Sequence, residues 1–309
     1  MTSLATPDSI QVIRSKLFVP GSRPELFPKA FSGAADALSF DLEDAVVPGK
    51  KAQARSNVAA YLRNALQDSG KVTIVRVNGL SSDYFAADIS TLAGKGVDII
   101  NLPKVECRDD ILRALDAICE AENSSGATRR VGILANIETP KGLRLAFEIA
   151  TADPRVVGLQ LGFTDLSVAC GIRGQNKTAL NAVRLGVRFA AAEAGIASYD
   201  GAFVNVKDTD GFRRDVEEAR DLGFAGKSCI HPSQVAIANA VFSPDREEIA
   251  RATSILAAAT EANERGIGAF LHEGEMIDAP IVARARGVMA LAHKLGLVLR
   301  SRESEEDAG

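Results

Sequence analysis

The sequence predicts an α/β protein, a TIM (β/α)8 barrel followed by a C-terminal helical extension. Eight short apolar runs alternate with amphipathic segments along the first 240 residues, which is the pattern of parallel strands joined by crossover helices. The runs are nearly continuous in apolar residues, as expected of strands that are covered on both faces. Eight such units favour a closed barrel over a doubly wound sheet, although an open parallel sheet also fits the periodicity.

The predicted strands are separated by segments that carry apolar residues at helical spacing. In chain order the strands run from Lys16 to Pro20, Ala37 to Asp44, Val72 to Asn78, Val97 to Lys104, Val131 to Glu138, Val156 to Phe163, Ser198 to Val206 and Gly226 to Pro232. Segments 50–66 and 212–223 have the spacing of amphipathic helices. Segment 143–154 is also helix-like, and it joins the fifth predicted strand to the sixth.

The alternation stops near residue 240, so we predict a catalytic barrel domain over residues 1–240 and an extension over residues 241–309. The extension should contain a helix with an N-cap at Ser243, a short hairpin over 268–280 and a second helix. A segment of this size buries too little apolar surface to fold alone. We therefore expect it to pack on its own barrel or on the barrel of a neighbouring subunit.

Composition argues against several classes of protein. A net charge of −4 is unfavourable for a nucleic-acid partner. No apolar run reaches the ~18 residues of a membrane span, and the N-terminus lacks the basic and apolar regions of a secretion signal. We therefore expect a cytoplasmic protein with no membrane partner. The acidic tail over residues 301–309 is predicted to be disordered.

Two carboxylates follow neighbouring predicted strands. Glu138 ends the fifth strand and Asp165 follows the sixth. Because the C-terminal ends of parallel strands joined by a helix lie side by side, both side chains should converge on one rim. A hard cation such as Mg²⁺ takes one or two protein carboxylates and keeps positions for substrate and water. The pair therefore predicts a Mg²⁺ site and an enzyme.

Charged side chains follow the other predicted strands as well. Arg23 follows the first, Glu43 and Asp44 end the second, and Arg76 lies in the third. Arg76 and Glu138 lie inside apolar runs, where an uncompensated charge costs several kcal/mol. A structural salt bridge explains any one of these charges, whereas the whole ring indicates an active site. The three histidines fit neither a zinc site nor a serine triad.

Short motifs along the chain resemble one family. They are RSKLFVPGSRPE, SFDLEDAVVPGKKAQAR, VRVN, LPKVE, IET, LGFTDLS, GKSCIHPSQV and GEMIDAP, in this order between residues 14 and 280. Together they resemble the citrate lyase beta-chain-like proteins, a branch of the malyl-CoA lyase and class II aldolase superfamily. One position departs from the family pattern: Thr164 stands where the family's Gly-Ala-Glu-Asp-Leu motif has Glu. This departure concerns substrate preference more than the metal.

The resemblance implies a Mg²⁺-dependent carbon–carbon lyase on a TIM barrel, with the metal held by Glu138 and Asp165. Its substrate would be a 3-hydroxyacyl-CoA thioester of the malyl-, citramalyl- or citryl-CoA type, cleaved into an oxo-acid and an acyl-CoA. Arg76 matches a substrate-binding arginine and is expected to stabilise the enolate. Asp278 matches an acid that a neighbouring subunit delivers as a proton shuttle, which implies a homotrimer or homohexamer.

Further residues complete the predicted site. Glu43 and Asp44 are expected to orient Arg76 or a water molecule on the metal, since a guanidinium in an apolar run requires a carboxylate partner. Separate groups of residues would meet the oxo-acid carboxylate and the CoA phosphates. They are Gly162, Phe163 and Thr164 for the carboxylate, and Lys16, Arg23 and Arg14 for the phosphates.

Three other functions remain open at this stage. One is the beta subunit of a citrate lyase that acts on a citryl-acyl-carrier-protein thioester, and such a subunit would co-purify with its partners. Another is a CoA-independent aldolase that releases pyruvate, against which the MIDAP motif argues. The third is a binding protein with a decayed site, which the intact charged positions oppose.

Overall fold

A computed structural model of the protein describes residues 12–65, 70–93, 95–127, 129–173 and 176–298. Contacts along the chain divide it into two compact units, residues 1–242 and residues 243–309. The acidic tail that is predicted to be disordered lies outside the described residues.

Eight parallel strands close into a barrel in the first unit. Each strand pairs with the next along the chain, and β8 pairs back with β1. The strands are β1 (Ser15–Pro20), β2 (Ala37–Asp41), β3 (Val72–Arg76), β4 (Ile99–Leu102), β5 (Gly132–Ile137), β6 (Val156–Leu161), β7 (Ala197–Asp200) and β8 (Gly226–Cys229). The predicted TIM barrel is confirmed, and the pairing of β1 with β8 rules out an open sheet.

Several strands are shorter than the sequence predicts. Strand β2 ends at Asp41 rather than Asp44, because the Asp41 carboxylate accepts the backbone N–H groups of Glu43 (2.9 Å) and Ala45 (3.0 Å) and turns the chain away from the sheet. Strand β7 ends at Asp200 rather than Val206, whose N–H bonds to its own loop instead of to a neighbouring strand.

Helices follow the strands around the outside of the barrel. They are α1 (Phe27–Phe31), α2 (Lys51–Ala65), α3 (Phe85–Leu92), α4 (Arg108–Ser125), α5 (Pro140–Arg144), α6 (Ala146–Ala150), α7 (Phe163–Ala169), α8 (Lys177–Glu193), α9 (Thr209–Asp221) and α10 (Pro232–Val241). The single helix predicted over 143–154 was wrong. Two short helices replace it, the first beginning at Pro140 behind the N-cap Thr139, with a break at Leu145.

The barrel interior contains both an apolar cluster and buried polar side chains. A small apolar cluster includes Ile74, Leu134 and Tyr199. Lys16 is also fully buried, and its ammonium donates to Oε1 of Gln160 on β6. Burial, together with the nearby Arg76 charge, lowers the pKa of Lys16 to about 7. Lys16 therefore lies inside the barrel, and the prediction that it meets CoA phosphates does not fit this position.

The second unit is a helical hairpin with a small β-ribbon. It contains α11 (Arg246–Glu264), β9 (Phe270–His272), β10 (Glu275–Ile277) and α12 (Ala279–Lys294). The N-cap of α11 is Asp245 rather than the predicted Ser243, because Asp245 forms a capping box with Glu248. In the part of the chain that the structure describes, no helix is both long enough and apolar enough to cross a bilayer.

Candidate active site

Glu138 follows β5 at the C-terminal rim of the barrel and is 5% exposed. Its Oε2 accepts the backbone N–H of Lys104 (2.9 Å), and its Oε1 accepts Nδ2 of Asn136 (3.1 Å). Burial raises the pKa of Glu138, against the hydrogen bond from Lys104 and the charge of Arg76. A buried carboxylate in such a position is stabilised in its charged form when a cation binds beside it.

Asp165 approaches the same rim from the first turn of α7. Its Oδ1 lies 3.7 Å from Nζ of Lys104, the residue whose backbone N–H bonds to Glu138. The turn before α7 requires glycine, since a Cβ atom at Gly162 would lie 2.3 Å from Cγ of Glu138. The structure thus brings the two predicted metal carboxylates together around Lys104.

The oxygen donors at this rim fit Mg²⁺. Glu138 and Asp165 supply two carboxylates, and no third His, Cys, Asp or Glu side chain joins them in a metal-like cluster among the described residues. A buried carboxylate oxygen, Oε2 of Glu43, accepts no hydrogen bond from the described residues, although it lies 3.2 Å from Nη1 of Arg76 in an ion pair. Mg²⁺ is commonly held by only one or two carboxylates and keeps its other positions for substrate and water.

Arg76 is held by a partner that the sequence analysis did not assign to it. Its Nε and Nη2 donate to Oδ1 (2.8 Å) and Oδ2 (2.7 Å) of Asp41, its register neighbour across β2 and β3. Its Cζ lies 5.0 Å from the ring centroid of Phe18. Burial acts against the charge of Arg76, but the Asp41 bonds outweigh it and raise the guanidinium pKa. Arg76 is therefore charged and fixed along one edge.

The other edge of Arg76 faces the predicted orienting carboxylates. Nη1 lies 3.2 Å from Oε2 of Glu43 and 3.3 Å from Oδ2 of Asp44. Burial raises the pKa of Glu43 to about 8, although the Arg76 charge opposes this. The expected contacts of Glu43 and Asp44 with Arg76 are present, and Asp41 is the stronger partner.

Lys51 is a positioning residue that sequence reasoning missed. Its buried ammonium donates to the carbonyl oxygens of Leu42 (2.9 Å) and Glu43 (3.0 Å) and to Oδ1 of Asn78. Asn78 donates in turn to Asp88 on α3. Lys51 thus fixes the loop that carries Glu43. The sequence signal for this role is the lysine of the KxxAR motif, which follows DLEDAV.

The remaining predicted residues divide by location. Arg23 is exposed on the loop after β1, where it pairs with Glu25. Arg14 pairs with Asp36 (2.8 Å) at the N-terminal ends of β1 and β2, away from the rim. The N–H of Gly162 donates to the carbonyl of Ile137 (3.0 Å), so this amide is already occupied. The predicted role of Arg14 at CoA phosphates, and that of the Gly162 amide at a carboxylate, therefore do not fit.

Asp278 lies in the second unit, between β10 and α12. It is the N-cap of α12, and its Oδ1 accepts the N–H of Ile281 (3.3 Å). The helix cap therefore uses Oδ1 of Asp278, and Oδ2 takes no part in it.

Comparisons with known proteins agree with the motif resemblance. The HpcH/HpaI aldolase/citrate lyase family matches residues 14–232. The chain is 37% identical to the citrate lyase subunit beta of Leuconostoc mesenteroides, covering 92% of this chain and 95% of the relative. It is 36% identical to an L-malyl-CoA/beta-methylmalyl-CoA lyase of Cereibacter sphaeroides, covering 94% and 98%.

A solved structure matches the fold over most of the chain. The CitE protein of Mycobacterium tuberculosis, crystallised with magnesium, acetoacetate and coenzyme A, superposes with a TM-score of 0.75. It is 31% identical, and the match covers 90% of this chain and 97% of CitE.

Proposed function

Because the chain belongs to the HpcH/HpaI aldolase/citrate lyase family and is a carbon–carbon lyase by its relatives, we propose that it cleaves a 3-hydroxyacyl-CoA thioester with the help of Mg²⁺. The substrate class is that of malyl-, citramalyl- or citryl-CoA, and the products are an oxo-acid and an acyl-CoA. The observation that carries this proposal is the convergence of Glu138 and Asp165 on Lys104, at the rim that also holds Arg76.

Each side chain has a proposed role at this rim. When bound, Mg²⁺ would act as a Lewis acid and a template for the oxo-acid half of the substrate. Glu138 and Asp165 would hold it, and the Phe163 amide and Thr164 would bind the oxo-acid carboxylate. The exposed Arg23 would meet a CoA phosphate.

Arg76 would stabilise the enolate that forms on the thioester half when the carbon–carbon bond breaks. Its edge toward Asp41 is fixed, and Nη1 on the other edge would face the enolate oxygen. Glu43 and Asp44 face the same nitrogen and would set its orientation. As the carbon–carbon bond breaks, the 3-hydroxyl oxygen becomes the carbonyl of the oxo-acid and its proton passes to water. The protonated carboxyl group of Asp278 would then give its proton to the acyl α-carbon, complete the acyl-CoA product and regain a proton from water.

The substrate can be identified with a panel of malyl-, citramalyl-, methylmalyl- and citryl-CoA in the presence of Mg²⁺. We expect release of acyl-CoA from at least one of them, and loss of that release when EDTA removes the cation. Failure of every CoA thioester, with cleavage of a citryl-acyl-carrier-protein thioester instead, would contradict CoA as the carrier.

The second outcome has its own support, since one relative is a citrate lyase subunit beta at 37% identity. A protein with that function would work on a thioester carried by a partner protein. The two functions share the same cleavage chemistry and differ in the carrier, so the panel with both carriers separates them.

A test of assembly follows from the proposed role of Asp278. We propose a homotrimer or homohexamer in which Asp278 serves the barrel of a neighbouring subunit. Mixing the inactive variants Arg76→Ala and Asp278→Ala should then restore part of the activity, because some interfaces pair an intact barrel with an intact extension. Absence of recovery after verified subunit exchange would mean that Asp278 serves its own barrel or has no catalytic part.

A further inference from the structure

Lys104 is placed unusually among the residues of the rim. Its backbone adopts a left-handed conformation (φ 51°), which only one other non-glycine residue, Glu273, shares in the described part of the chain. Such a conformation is strained for a side-chain-bearing residue and is often found at functional sites. Here it turns the Lys104 N–H toward Oε2 of Glu138, where it donates at 2.9 Å.

The side chain of Lys104 reaches the other proposed metal carboxylate. Its Nζ lies 3.7 Å from Oδ1 of Asp165, and both side chains are about half exposed. One residue thus contacts Glu138 through its backbone and Asp165 through its ammonium. That ammonium competes for an oxygen that the proposed metal would also use.

The rim around the Lys104 ammonium carries an excess of negative charge. Carboxylates outnumber cations there even when Glu43 is protonated. Asp41, Asp44, Glu138 and Asp165 lie around Arg76, Lys104 and the buried Lys16. Lys104 is the cation that lies beside Asp165, so its ammonium offsets part of the carboxylate repulsion.

We propose that Lys104 is a built-in counter-cation of the metal site, whose ammonium neutralises Asp165 in the metal-free protein and is displaced when Mg²⁺ binds. This inference rests on the proposed metal role of Glu138 and Asp165. The Lys104 ammonium would stabilise the fold of the acidic rim when no metal is bound, and it would lower the affinity of the site for Mg²⁺. The backbone N–H of Lys104 performs the separate task of orienting Glu138, and this task does not depend on the ammonium.

Calorimetric titration of Mg²⁺ into Lys104→Met at low ionic strength tests the proposal. The variant keeps the backbone N–H and removes the charge, so we expect Mg²⁺ to bind about tenfold more tightly, the effect of removing a unit charge near a divalent ion in a solvent-exposed site. Lys104→Arg keeps the charge and should stay close to the wild type. Lys104→Gly also removes the charge, and glycine adopts the left-handed backbone conformation without strain. This variant is used if Lys104→Met does not fold.

A matched control is available on the same rim. Lys141 is 49% exposed, like Lys104, and lies 3.4 Å from Glu106, which is not a proposed ligand. Lys141→Met should therefore leave the Mg²⁺ affinity within about twofold of the wild type. Tightening of similar size in both variants would overturn the specific role of Lys104, because it would reflect net charge alone.

Thermal unfolding gives a second readout that does not depend on activity. Without Mg²⁺, Lys104→Met should melt below the wild type, because the rim carboxylates lose a counter-ion. With saturating Mg²⁺ the rise in Tm should exceed that of the wild type.

The outcomes separate this inference from the proposed function. If Glu138→Gln bound Mg²⁺ as tightly as the wild type, both the proposed metal site and the counter-cation role of Lys104 would be wrong. If Glu138→Gln weakened Mg²⁺ binding but Lys104→Met bound Mg²⁺ no more tightly than the wild type, only the counter-cation role of Lys104 would be wrong.

Discussion

Replacing Arg76 with lysine is expected to lower kcat for thioester cleavage by about 10²–10³-fold, the usual cost of losing one oxyanion donor. Lysine keeps the charge but lacks the planar fork that binds Asp41 through Nε and Nη2. The ammonium would be drawn to Asp41 and could not also face the substrate. Steady-state kinetics with the identified substrate measures the loss.

Arg155→Lys is the matched control for this loss. The Arg155 side chain is 12% exposed, close to the 14% of Arg76, and it pairs with Glu122 at the opposite end of the barrel. It should retain kcat per folded molecule. An Arg76→Lys variant that works within a factor of two of the wild type would show that Arg76 does not bind the enolate.

Glu138→Gln is expected to lower kcat by about 10³-fold or more, because a metal that acts as a Lewis acid supplies several kcal/mol of transition-state stabilisation. Glutamine has the same shape and retains an oxygen for the Lys104 N–H, so the rim should stay folded. Kinetics over a range of Mg²⁺ concentrations, with circular dichroism of the variant, measures both effects.

Glu106→Gln provides the comparison for Glu138→Gln. Glu106 follows the same strand as Lys104 and is 39% exposed, with Lys141 as its partner. Removing its charge should change kcat by less than about twofold. Equal losses in both variants would argue for a general effect of rim charge instead of a metal ligand.

The barrel could be predicted from sequence because parallel strands buried on both faces leave a nearly continuous apolar signature. The residues at which strands end could not be predicted, because they depend on side chains that form hydrogen bonds with the backbone. The carboxylate of Asp41 ends β2 three residues early in this way. The break at Leu145 inside the predicted helix 143–154 likewise leaves no gap in the apolar pattern.

The site residues were predictable when a strand end carried an isolated charge. Such charges predict Glu138, Asp165 and Arg76 as site residues, and the structure places the three side chains at one rim. Asp41 was not assigned to Arg76, because that pairing depends on the register of β2 against β3. The sequence predicts Lys16 as the first residue of its strand and as a contact of CoA phosphates. In the structure β1 begins one residue earlier, and the Lys16 side chain points into the barrel, where it donates to Gln160.

The metal site is tested most directly by a crystal structure of the protein with Mn²⁺, whose anomalous signal identifies the ion, together with glyoxylate or pyruvate. We expect one ion in contact with the carboxylates of both Glu138 and Asp165, with the oxo-acid bound beside it and the Lys104 side chain withdrawn from Asp165. An ion bound away from both carboxylates, or an oxo-acid bound away from the ion, would contradict it.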